Sequence, residues 1–152
     1  MDIHMDLSNS KKYHNTHRLA SENKMGKLER EIHRGEIYIA RLDPVIGSEQ
    51  NGTRPVLVIQ NNIGNHFCPT LIVAPITNTY KHAELPVHYA LKSCCLSGHN
   101  TVLLEQIKTI DKTRIIKFLG RISQSQIKDI DQKLKISLGL DHKGEKNDNI
   151  IA

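Results

Sequence analysis

The chain has 152 residues, three cysteines, no tryptophan and a formal net charge of +5. That length suits one domain whose core needs no staples, and an odd cysteine count with Cys94 and Cys95 adjacent is no disulfide framework but fits a reducing compartment. No apolar run approaches the roughly 20 residues of a membrane helix, and Asp2 and Asp6 stand where a signal peptide would be apolar, so a cytoplasmic protein with no membrane partner is expected.

Residues 1–32 are polar, with scattered single hydrophobes, and are expected to form a disordered extension with at most a short helix over Met25–Ile32. Met5 and Met25 each offer an alternative translation start. From residue 33 to residue 140 the texture is that of a folded domain, followed by a polar tail at 141–152. The basic surplus lies in this folded part, where residues 34–140 hold 13 Lys or Arg against 8 Asp or Glu. A phosphate-bearing partner is consistent with that balance.

Gly35–Arg41 alternates as a first strand, with Ile37 and Ile39 on one face, and Leu42-Asp43-Pro44 breaks it. A polar loop bracketed by Gly47 and Gly52 leads to Arg54, and Pro55–Gln60 is a second strand too apolar to have a solvent face. Asn61–Asn65 reads as a turn, and Thr70–Thr77 as a third strand in which Pro75 marks a bulge or an edge. Leu85–Leu91, Thr101–Leu104 and Arg114–Ile122 complete six strands, the fifth running on into Glu105–Asp111. Short strands at near-regular spacing predict a mainly β (α+β) fold, a small barrel or curved antiparallel sheet. Ser123 with Gln126 is a capping-box pattern, and Ile127, Ile130, Leu134 and Leu138 form one helical stripe ending at Gly139. An amphipathic C-terminal helix covering the sheet is the expectation.

Arg54 combines a permanent charge and a planar fork of donors with a position between a glycine-hinged loop and a rigid strand, which suits phosphate recognition. Glu49 in the same loop either pairs with it or acts as a base. Thr77 closes an apolar strand, a place where threonine is ordinarily a β-former. Gln106 offers donor and acceptor for a base edge, or with Lys108 is the solvent face of a strand. Of the nine histidines, five lie in or beside the polar flanks, and His88 is the first to test as a catalytic group. Cys94-Cys95 with His99 lacks a second ligand pair at zinc spacing, so no metal is expected.

The stretch Gly47-Ser48-Glu49-Gln50-Asn51-Gly52-Thr53-Arg54-Pro55-Val56-Leu57-Val58-Ile59-Gln60-Asn61 resembles the signature of the MazF/PemK family of toxin endoribonucleases. Ile72-Val73-Ala74-Pro75-Ile76-Thr77 and Val102–Asp111 resemble its second and third segments, and the similarity spans about residues 33–140. The resemblance implies an SH3-like small barrel and metal-independent, cofactor-free cleavage of single-stranded mRNA at a specific sequence, leaving a 2′,3′-cyclic phosphate and a 5′-hydroxyl. It makes Arg54 and Thr77 catalytic, offers Glu49 as the base, and places Gln50, Gln106, Lys108, Asn61 and Ser48 against RNA. Family members commonly carry arginine where Lys108 stands. A homodimer and a cognate antitoxin with an acidic, flexible tail are the implied partners. The alternative is a CcdB-type toxin, of similar small-barrel fold, that poisons DNA gyrase without cutting RNA. A non-catalytic nucleic-acid-binding module would suit the charge but leave the loop and arginine unexplained.

Overall fold

The computed structural model describes residues 30–79, 85–92 and 95–140. The expected disordered extension, the helix beginning at Met25, Cys94 and the 141–152 tail fall wholly or mainly outside these residues, and residues 30–32 carry no regular structure.

Among the described residues, seven strands and two α-helices follow in order: β1 (Glu36–Arg41), β2 (Thr53–Val58), α1 (Asn62–Phe67), β3 (Thr70–Thr77), β4 (His88–Leu91), β5 (Asn100–Leu103), β6 (Lys108–Asp111), β7 (Ile115–Arg121) and α2 (Gln124–Ser137). All pairings are antiparallel in the order β4-β5-β3-β2-β1-β7, with β6 also on β3. A 3-10 turn, Lys112–Arg114, carries β6 into β7, which pairs with β1 and not with β6, so the curved sheet stays open.

Both faces of the central strands are buried. Tyr38, Ala40, Val56, Val58, Leu71, Val73 and Ile110 form one apolar cluster on one face, where the Tyr38 and Phe118 rings meet edge to face at 5.4 Å. Ile37, Leu57, Ala74, Ile76 and Val102 face the other way, into a second cluster that α2 covers with Ile130. Successive residues of a strand point to opposite faces, so Val56-Leu57-Val58 must be apolar throughout. Pro75 sits where β3 changes partner on one edge, from β6 at Thr70–Val73 to β5 at Ile76–Thr77. A residue with no N–H is tolerated there because that edge has no ladder bond to lose.

Helix α2 has the full capping box. The Ser123 hydroxyl accepts from the Gln126 N–H at 3.3 Å, and the Ser123 N–H donates to Gln126 Oε1 at 3.0 Å. Ile127, Ile130 and Leu134 pack on the sheet, and Gly139 takes φ 67° just past the end. Leu138 departs from the expected stripe: it is the C-cap and is 53% exposed. Arg34 clamps the helix from outside, donating to Asp131 Oδ1 at 2.7 Å and to the Ile59 carbonyl at 2.8 Å. Glu36, 1% exposed, accepts from the Tyr38 hydroxyl at 2.6 Å and the His33 N–H at 2.9 Å, so its burial is compensated.

Three elements differ from the sequence expectation. Asn61–Asn65 is not a free turn but the start of α1, because the Asn61 side chain accepts from the Gly64 N–H at 2.8 Å and caps a helix. Leu85–Val87 bends before β4 begins at His88. The fifth strand does not run through: Leu104–Ile107 turns out between β5 and β6, giving seven strands where six were expected.

Ile130→Ala is expected to lower stability by about 2–5 kcal/mol, the cost of emptying a packed core site, and Ser123→Ala by about 1 kcal/mol through the lost cap. Leu138→Ala should stay within about 0.5 kcal/mol. Urea unfolding of the three variants checks this ranking.

Candidate active site

The loop between β1 and β2 is closed at its neck by two bonds. The Leu42 N–H donates to the Gly52 carbonyl at 2.9 Å, and the Gly52 N–H to Asp43 Oδ1 at 3.0 Å. Gly52 takes φ 75°, a left-handed conformation few side chains accept. The neck delivers Arg54, the second residue of β2, to the sheet rim opposite Ala40 of β1.

The guanidinium is held by the loop that precedes it. Arg54 Nε donates to the Asn51 carbonyl at 2.6 Å, and a terminal nitrogen to the Gln50 side-chain oxygen. Gln50 in turn donates its backbone N–H to Gln106 Oε1 at 2.9 Å, in the turn between β5 and β6. Glu49 reaches the same region, its carboxylate 3.7 Å from Lys108 Nζ at the start of β6. Glu49 thus pairs with Lys108 rather than Arg54. Loop, arginine and β5–β6 turn form one polar chain.

Thr77 ends β3 opposite Thr101, and its hydroxyl accepts from the Thr79 N–H at 3.2 Å. The β2–β3 ladder pairs Val56 with Pro75. Continued two residues, that register sets Thr77 across from Arg54, and by alternation both belong to the face that carries Val56 and Val73. Past Thr77, an open cavity of about 520 Å³ is lined by Asn78, Ser97, Gly98 and His99.

The other sequence-selected residues lie apart from this chain. Ser48 is exposed in the loop. Asn61 caps α1 beyond the opposite end of β2 from Arg54. His88 is 7% exposed in β4, its Nε2 2.8 Å from Glu105 Oε1. Glu105 and the Asn51 carbonyl were not singled out in the sequence, because each acts through a partner that only the folded sheet and loop define. Among the described residues no cluster of three or more His, Cys, Asp or Glu could hold a metal ion, and no helix is long and apolar enough to cross a membrane.

Residues 33–138 match the profile of the family described as PemK-like, MazF-like toxin of type II toxin-antitoxin system. The chain is 46% identical over 113 residues to the endoribonuclease MazF of Staphylococcus epidermidis, an alignment covering 73% of this chain and 94% of the relative. MazF from Deinococcus radiodurans superposes with a TM-score of 0.65 at 22% identity, over 73% of this chain and 99% of that one. A mycobacterial endoribonuclease, solved in complex with its cognate antitoxin, gives 0.61 at 24% identity over 72% and 96% of the two chains. The two structural likenesses show the shared fold, and the profile match together with the 46% identity shows the relationship: the chain belongs to the PemK-like, MazF-like toxins of type II toxin–antitoxin systems.

Proposed function

We propose that the chain is a sequence-specific endoribonuclease, the toxin of a toxin–antitoxin pair, which cuts single-stranded mRNA at the rim formed by the β1–β2 loop, Arg54 and the β5–β6 turn. The observation that carries the reading is the bonded chain from Arg54 through Gln50 to Gln106, in a protein 46% identical to an endoribonuclease MazF. The gyrase-binding alternative draws no support from the family match or the relatives compared.

RNA carries its own nucleophile. The 2′-oxygen attacks the adjacent phosphorus, the P–O5′ bond breaks, and the products are a 2′,3′-cyclic phosphate and a 5′-hydroxyl. The 2′-hydroxyl proton goes to a base and the departing 5′-oxygen takes up a proton. This chemistry asks the protein for alignment and for positive charge on the phosphorane. Arg54 supplies that charge as a planar guanidinium with a fork of donors. Gln50 and the Asn51 carbonyl fix its orientation, so little reorganisation remains for the transition state. The Thr77 hydroxyl, set at the same rim, holds the phosphate or the 2′-oxygen. Glu49, the carboxylate of the loop, is the proposed base, and its pair with Lys108 opens when RNA enters.

Gln106 and Gln50 are assigned to base recognition, and Lys108 and Ser48 to the RNA backbone. Asn61 is given a structural role, because its side chain is engaged in capping α1. The toxin domain is taken as residues 33–140 with polar flanks at 1–32 and 141–152, a division supported by the family match at 33–138. A homodimer acting in the cytoplasm, silenced by an antitoxin whose acidic flexible tail mimics RNA on this rim, completes the proposal. The antitoxin complexes solved for the mycobacterial and Deinococcus proteins support that partner.

Cleavage of a long single-stranded RNA in EDTA should give cuts at one short word, ending in cyclic phosphate. Arg54→Ala should lose at least about 100-fold in rate, as removal of a preorganised charge stabiliser does. A folded Arg54→Ala that cuts at the wild-type rate would overturn the assignment. Lys108→Ala should weaken binding of a 2′-O-methylated, uncleavable RNA across sequences and reduce the slope of log affinity against log salt by about 0.7, one phosphate's share for single strands. An unchanged slope would remove Lys108 from the phosphate contacts.

A further inference from the structure

Gln106 owes its place to a turn, and turns of four residues are not rigid by themselves. This one is held on two sides. The Leu104 N–H donates to the Val87 carbonyl at 3.1 Å, and the Leu104 carbonyl accepts from the Ser137 hydroxyl of α2 at 2.8 Å. Next to these anchors on Leu104, Glu105 is tied to His88, with Nε2 2.8 Å from Oε1.

The histidine is the unexpected member. Its side chain is 6% exposed and lies on the face of β4 opposite Tyr89 and Leu91, which pack with the cluster under α2. Burying an imidazole costs free energy that a well-packed leucine would not. The bond from His88 to the Glu105 carboxylate offsets part of that cost, and Glu105 is the residue immediately before Gln106.

We propose that His88 is a positioning residue for RNA cleavage. By fixing Glu105 it sets the Leu104–Ile107 turn so that Gln106 meets the Gln50 N–H, and through Gln50 it orients Arg54. The inference rests on the endoribonuclease reading above. Its reach is four links: His88 to Glu105, along the backbone to Gln106, across to Gln50, and on to the guanidinium.

The test is single-turnover cleavage of a short RNA containing the cut word, with folding of each variant followed by thermal unfolding. Glu105→Ala breaks the pair without opening a buried space, and His88→Leu breaks it while keeping the site filled. Both should lower the cleavage rate between about 10- and 100-fold, the scale of a small misplacement of catalytic groups. His88→Gln, which puts an amide donor where Nε2 stands, should restore most of the rate. In a Gln106→Ala background Glu105→Ala should add little further loss, since both act through one contact.

Wild-type rates in folded Glu105→Ala would overturn the proposal, as would losses that multiply fully in the double variant. His88→Gln as impaired as His88→Leu would overturn it too. Should His88→Leu fail to fold, Glu105→Ala and its double variant decide the matter. Arg54→Ala in the same series separates the two levels. Full cleavage there defeats the site assignment itself, whereas a dead Arg54→Ala beside a fully active Glu105→Ala defeats only the role of His88.

Discussion

A proline offers no N–H to a neighbouring strand, and in β3 that missing donor falls where one edge changes partner. Thr70–Val73 pairs with β6 and Ile76–Thr77 with β5, leaving Ala74-Pro75 unpaired on that edge. The chain joining β5 to β6 is released there and turns outward as Leu104–Ile107. Gln106 projects from that turn, within reach of the β1–β2 loop. On its other edge the same Pro75 is registered with Val56, two residues after Arg54. One interruption in one ladder thus brings the turn with Gln106, the strand end with Thr77 and the strand start with Arg54 to a single rim.

Behind the rim lies tightly buried strand. Val56, Leu57 and Val58 are each no more than 1% exposed, and Val73 and Ala74 are fully buried, so β2 and β3 are gripped on both faces. Interiors packed at crystal-like density transmit position faithfully. Arg54 begins where that packing ends, half-buried, with its guanidinium tied to the loop rather than to the core. The junction thus gives Arg54 a fixed backbone and a solvated guanidinium.

Local rules made much of this legible. Strand β2 and its double-faced burial follow from a run with no polar side, and α2 from a capping box and its stripe. Local rules also explain the misses. Asn61–Asn65 carries three asparagines and a glycine, a turn composition, yet the first asparagine serves as an N-cap and turns the segment into a six-residue helix. Val102–Asp111 reads as continuous because the break belongs to Pro75, some thirty residues earlier in the chain. At the site, the arginine and its loop were visible as a motif. The partners of Glu49 and of His88 were not, since Lys108 and Glu105 become neighbours only when β6 and β4 take their places in the sheet.

The loop is latched to the β5–β6 side by weak bonds, and their weakness has a consequence. The Glu49–Lys108 pair is solvated on the glutamate side, where such pairs contribute about 0–1 kcal/mol. The Gln50–Gln106 bond contributes about 1 kcal/mol net. Releasing the loop therefore costs about 1–2 kcal/mol, which leaves roughly 3–15% of molecules open at any time. A ligand that must open this latch therefore binds with its affinity reduced to that fraction, about 7- to 30-fold. The same groups that close the empty loop, an amide pair and an ammonium, are those that suit a base edge and a phosphate. The closed loop holds Arg54 in one orientation through Gln50 and the Asn51 carbonyl, and the contact that opens most readily is the solvated Glu49–Lys108 pair.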